Sequence, residues 1–295
     1  MSLVRFGTGL PANQQIPSRV RPWEMAVGGA EMLAAARAAE AAGFDWLACS
    51  DHVCVPVSRA QAMGPTWFDA GSSLAFVAGV TSRIRLLSHV LVVPYRHPLI
   101  VAKQYGTLDH LSGGRVILGV GSGHLKPEFK TLGADFEGRG AVTDEYLAAI
   151  AAAWEHEVAA FEGPTIAFRD VMVSPRIVQR PRPPFWVGGN SKPAVRRAAK
   201  LGEGWVPWEL KPEEFAELAA YARATRAAAG RTDPLELVAP LGAPAAAGAD
   251  AILADAARWR KAGATAFHVG VGAESFAEHL ARLGWLGREV MPRVE

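Results

Sequence analysis

The chain has 295 residues, half of them hydrophobic, with 31 basic and 29 acidic side chains for a net charge of +2. That length can bury one large α/β core or two medium ones, and the charge is too small to imply nucleic acid or a membrane surface as a partner. No apolar run approaches the roughly 20 residues of a membrane span, and the opening MSLVRFGTGL lacks a signal-peptide layout; the expected location is the cytoplasm.

In chain order, short runs rich in β-branched and aromatic residues at 4–8, 46–50, 84–93, 116–120, 185–188, 204–207, 235–239 and 266–271 alternate with alanine-rich helical patterns. Examples of the latter are GAEMLAAARAAEAAG, DEYLAAIAAAWE, KPEEFAELAAYARATRAAA and ADAILADAARWRKAG. Cys49 and Cys54 lie in and just beyond the second run, in a spacing that matches no zinc or redox motif, and read as packing residues. Eight strands, each followed by a helix, predict a TIM (β/α)8 barrel; a Rossmann domain leaves some strands unexplained. Two insertions interrupt the repeat. Residues 122–143 follow the fourth strand and belong on the C-terminal face, and the proline-rich 158–184 reads as a flap over it. No linker divides the chain, so 1–295 reads as one domain.

Barrel chemistry sits where strands end. After the second strand come Asp51 and His52, after the fourth GVGSGH with Gly121, Ser122 and His124, and after the fifth WVGGNSKP with Gly188, Gly189, Asn190 and Ser191; the end of the first strand is the remaining place. The histidine spacing is that of a barrel rim, with too few carboxylates nearby for a metal site. GVGSGH is spaced GxGxG and is no dinucleotide loop; its glycines make room for a flat ligand or for the backbone itself. At WVGGNSKP, Asn190 or Ser191 can cap a helix whose first turn suits Pro193, and such a terminus binds phosphate. The basic run Lys192, Arg196 and Arg197, against acids near the starts of helices at Asp144, Lys211, Asp250 and Glu274, suggests that a ligand anion faces this dipole. An ordinary strand-to-helix turn with solvated basic residues is the alternative.

SDH, VLVVPYRHP, LDHLSGGRVILGVGSG, GRGAVTDEYL and PRPPFWVGGNSKPAVRRAAKLGEGW, spread over residues 7–208, together resemble the luciferase-like superfamily of flavin and deazaflavin oxidoreductases. PYRHP with WVGGN is most similar to its coenzyme F420 branch. The resemblance implies a TIM barrel, often homodimeric, acting on a small-molecule substrate. It also implies a third-strand bulge with a cis peptide at His89–Val90 supporting the cofactor's central ring; the alternative is a core histidine in a regular trans strand. Ring contacts at Asp51 and His52 and phosphate contacts at Gly188 and Gly189 follow from the same resemblance, while Arg96 and His97 of PYRHP read as structural. In the sugar-phosphate dehydrogenase branch, the residue matching His52 takes part in proton transfer, and a glutamate matches His124. The sequence departs there, so that substrate is not carried over. The expected activity is F420-dependent hydride transfer with His52 and His124 as catalytic candidates. An FMN-dependent monooxygenase and a non-catalytic cofactor-binding protein are the alternatives.

Overall fold

The β-branched and aromatic runs form the strands β1 (Arg5–Gly9), β2 (Trp46–Cys49), β3 (Arg85–Ser88), β4 (Leu91–Val92) and β5 (Val116–Gly121). After a hairpin of β6 (Ala159–Glu162) and β7 (Ala167–Val171) come β8 (Phe185–Gly188), β9 (Gly204–Val206), β10 (Glu236–Ala243) and β11 (Ala266–Val271). These lie in a computed structural model that describes residues 4–244 and 246–294. The main sheet runs β3-β2-β1-β11-β10-β9-β8-β5-β4 and closes because β3 also pairs with β5. Since β3 and β4 are two halves of one stave, the sheet is an eight-staved parallel TIM barrel.

Around it lie α1 (Gly29–Ala41), α2 (Val57–Met63), α3 (Ala70–Ala78), α4 (Pro98–Ser112), α5 (Lys126–Leu132), α6 (Arg139–Glu155), α7 (Lys192–Leu201), α8 (Pro212–Ala228), α9 (Ala249–Lys261) and α10 (Phe276–Glu289). Their starts carry local chemistry: Asp69, Ser191 and Ser275 cap α3, α7 and α10 through side-chain oxygens, and α4 opens with Pro98 and ends at the left-handed Gly113.

Alternate strand residues divide the core in two. Leu47, Leu86, Leu118 and Phe267 face the helices, while Trp46, Ala48, Leu87, Ile117, Trp186, Val206, Val238 and Ala266 fill the barrel interior. Trp46 and Trp186 meet edge to face at 5.0 Å. Their size dictates the residues beside them. A Cβ on Gly7, opposite Trp46, would lie 1.9 Å from the indole, and one on Gly204, opposite Trp186, 2.5 Å from its ring.

Three expectations need correction. Residues 158–184 do not cover the C-terminal face, because they follow α6 and lead into the start of β8. Asp109 accepts hydrogen bonds from the amides of Val178 (2.7 Å) and Gln179 (3.1 Å). Gln179 in turn bonds Val116 O (2.7 Å) and Arg85 (3.2 Å), the first residues of β5 and β3. Residues 177–179 therefore lie against the strand starts at the N-terminal end, while the tip of the β6–β7 hairpin packs back along α6, where Glu145 accepts from the amides of Thr165 (2.7 Å) and Ile166 (3.0 Å). Second, α6 starts at Arg139 rather than near Asp144, and its first turn holds no acid; α7 is thus not distinctive in lacking one. Third, Arg197 is not solvated. It is 6% exposed and bonded to Asp144 and to Gly140 O, so the anion argument retains only the exposed Lys192 and Arg196.

Candidate active site at the barrel mouth

The stave formed by β3 and β4 breaks at a cis peptide between His89 and Val90. There Val90 packs against the barrel-interior cluster and sits between two glycines. A Cβ on Gly121 or on Gly188 would come within 2.8 Å of a Val90 methyl, and one on Gly119 within 1.8 Å of Ser88 O. The glycines of GVGSGH and WVGGN are therefore explained in part by the bulge: they leave the volume that Val90 and Ser88 occupy, on β5 next to this stave and on β8 one strand further on.

The anion-site candidates lie on the rim beside this bulge. Gly189 has φ +115°, a conformation that favours glycine, and its carbonyl accepts from Trp205 Nε1 at 2.8 Å. Ser191, not Asn190, caps α7 by accepting from Ala194 N at 3.4 Å. The Asn190 side chain is spent on Trp208, donating to its carbonyl (2.6 Å) and accepting from its amide (3.2 Å). Ser122 reaches towards Arg197 at 3.5 Å. What remains for a ligand is the backbone leading into α7 and the amide of Lys192, since Pro193 has no N–H and Ala194 N is taken by Ser191.

Asp51 and His52 leave β2 with different fates. The Asp51 carboxylate, 1% exposed, receives two parallel hydrogen bonds from Arg96 at 2.8 and 2.9 Å. It is thus a brace between the second and third staves. His97 caps α4 by accepting from Leu99 N at 3.2 Å. His52 lies 2.7 Å through Nδ1 from Glu128, whose side chain is fully buried on α5. Glu128 also accepts from Val53 N (2.8 Å), Cys54 N (3.1 Å) and the Tyr95 hydroxyl (3.0 Å). Burial pushes its pKa up, but the His52 hydrogen bond and these others outweigh it and hold the carboxyl below its ordinary 4.5. An anionic carboxylate can only accept, so His52 Nδ1 carries the proton and Nε2 is left to exchange one.

Aromatic rings enclose this dyad. Trp67 meets the His52 ring edge to face at 4.5 Å, His124 lies 6.0 Å from it, and Trp208 lies 6.4 Å from His124. Burial first, and the neighbouring His52 second, lower the pKa of His124, which keeps it neutral at pH 7. The two histidines expected at the mouth are therefore brought together. Glu128, Tyr95, Trp67 and Trp208 were missed. A hint of Glu128 was present, an acid in the first turn of the short helix directly after GVGSGH, but nothing in linear spacing ties position 128 to position 52.

His268 was also missed. It sits on β11, its ring 4.7 Å from that of His89, with Trp46 Nε1 3.4 Å from its Nδ1. Burial depresses both imidazoles, His89 to about 4 and His268 well below its ordinary value.

Among curated proteins, an uncharacterized protein of Mycobacterium tuberculosis is 32% identical over 218 residues, 68% of this chain and 73% of that protein. The FMNH(2)-dependent dimethylsulfone monooxygenase of Pseudomonas putida is 29% identical over 126 residues, 42% of this chain and 34% of that protein. Among solved structures, the coenzyme F420-dependent tetrahydromethanopterin reductase of Methanopyrus kandleri superposes with a TM-score of 0.79 over the whole of both chains at 18% identity, a likeness of fold. A family model described as luciferase-like monooxygenase matches residues 5–289. That match runs from the first barrel strand to the end of the last long helix, and the chain belongs to the luciferase-like monooxygenase family.

Proposed function

We propose that the protein is an F420-dependent oxidoreductase that moves a hydride to or from a small organic substrate, with His52 handling the accompanying proton. The observation that carries this reading is the His52–Glu128 pair at 2.7 Å, an imidazole oriented by a buried carboxylate on the same rim as the cis bulge. Such a pair is suited to general acid–base work, because the anion fixes the tautomer and stabilises the imidazolium once Nε2 takes a proton.

The residues present fit a flat cofactor. Gly121 and Gly188 keep Val90 raised between them, and Gly189 with its positive φ opens the backbone beside the α7 terminus. Val90 and the His89 backbone would support the ring, and the amides of residues 188–191 would hold the phosphate. Bound F420 supplies two-electron hydride chemistry. His52 then takes or gives the proton at the substrate heteroatom, Glu128 holds its orientation, and neutral His124 with Trp67 narrows the water-accessible space around it. The motifs PYRHP and WVGGN favour F420, and the Methanopyrus reductase gives a precedent on this fold. FMN-dependent oxygenation is the second reading, favoured by the similarity to the Pseudomonas enzyme.

In single-turnover mixing followed by the deazaflavin absorbance, His52→Ala is expected to slow hydride transfer by about 10²–10⁴-fold, with F420 affinity within threefold of the parent. An unchanged rate would remove His52 from the chemistry.

A further inference from the structure

A second cavity, about 210 Å³, opens between the ends of β1 and β11, roofed by residues of the long β1–α1 connection and bounded by α10. His268 and His279 both line it. Trp46 Nε1 can only donate, so His268 Nδ1 accepts and its proton resides on Nε2. That Nε2–H lies beside Gly9, where a Cβ would sit 4.0 Å from it; Gly9 lines the cavity. His279 is 5% exposed, and its Nδ1 has no hydrogen-bond partner among the described residues. The charged residues of the lining are already engaged. Arg19 pairs with Glu209, and Glu24 accepts from the Arg21 amide at 2.8 Å. The Asn13 side chain is spent on Leu10 O and, at 3.1 Å, on Ser50 N.

We infer that this cavity is a substrate subsite for a neutral hydroxyl- or carbonyl-bearing group, whose oxygen accepts from His268 Nε2–H, and that it rejects carboxylates and phosphates. Its place as a substrate site rests on the proposed oxidoreductase function, through the 4.7 Å contact that joins His268 to His89 at the bulge. An anion entering it would meet two imidazoles that burial keeps uncharged and one arginine already paired. A neutral oxygen needs only the donor that His268 offers. Substrates would therefore be selected by a neutral oxygen held apart from the proton exchanged at His52.

The test is a titration of the cofactor-free full chain with cyclopentanol and with cyclopentanecarboxylate, followed through the histidine ring resonances. Cyclopentanol is expected to shift His268 and His279 saturably, with the carboxylate at least tenfold weaker. His268→Leu should weaken cyclopentanol binding at least fivefold, and His268→Gln, which keeps a donor and an acceptor, should stay within threefold of the parent. Equal binding of the carboxylate, shifts confined to His52 and His124, or unchanged affinity in His268→Leu would each overturn the subsite. Should His268→Leu not fold, the parent's ring shifts and the alcohol-to-carboxylate ratio decide alone. F420 binding is measured separately, so its failure would remove the proposed function while leaving the cavity's preference standing.

Discussion

Glu128 accepts four hydrogen bonds, three from residues 52–54 and one from Tyr95, with a carboxylate the solvent does not reach. Replacing it by glutamine keeps the volume but removes the charge and one of the two acceptor oxygens, so four donors face a single oxygen and an NH2 group, and His52 loses its anionic partner. Glu128→Gln should lower the single-turnover rate by about tenfold to a hundredfold while the F420 affinity changes less than threefold. A purely structural role would instead shift both together, or neither. The charge also makes a stability statement. Its folded pKa lies below the ordinary 4.5, so the stabilisation is complete above pH 4.5 and is lost as the pH falls through the folded value. Glu128→Gln should therefore flatten the acid limb of the parent's stability profile. This residue also illustrates what a sequence hides. His52 stands out because it ends a strand, but its partner is 76 residues away, on a seven-residue helix that brings it back to the same rim.

At the scale of elements, the break in the third stave is matched by glycines on β5 and on β8 beyond it. Val90 wedges between Gly121 on β5 and Gly188 on β8, each leaving space where a Cβ would clash at 2.8 Å. Gly121→Ala should therefore displace Val90, cost about 1–3 kcal/mol of stability by overpacking and weaken cofactor binding. Adding Val90→Ala should recover much of that stability, since it removes the clashing methyls. A double variant no more stable than Gly121→Ala alone, by urea unfolding, would show that the wedge is not what the glycine accommodates. The strands were legible because parallel barrel staves are buried on both faces and read as apolar runs. Placement of the insertion at 158–184 was not, because a proline-rich segment says nothing about which end it covers. That was decided by Asp109 and Gln179, which tie the segment to the strand starts. The basic run on α7 misled for a similar reason: helical spacing does not reveal that Arg197 faces Asp144 across to α6.

For the whole molecule, burial lowers the pKa of His89 and His279 to about 4 and that of His268 well below its ordinary value. A histidine with a depressed folded pKa contributes stability that is fully present above its unfolded value near 6.5 and is lost as the pH falls towards the folded one. Urea unfolding should therefore show stability declining from pH 6.5 down towards pH 4, with a slope of up to about 1.4 kcal/mol per pH unit for each such histidine. A flat profile between pH 6.5 and pH 5 would mean that these imidazoles are already solvated. The central proposal is that this rim binds a hydride-carrying deazaflavin. The most direct measurement is a side-by-side binding titration of the purified chain with F420 and with FMN, repeated at low and high salt. The account predicts F420 binding at least tenfold tighter, a difference of about 1.4 kcal/mol, with salt weakening F420 more because its tail carries further negative charge past the exposed Lys192 and Arg196. Tight FMN binding with undetectable F420 binding would contradict it and favour the oxygenase reading.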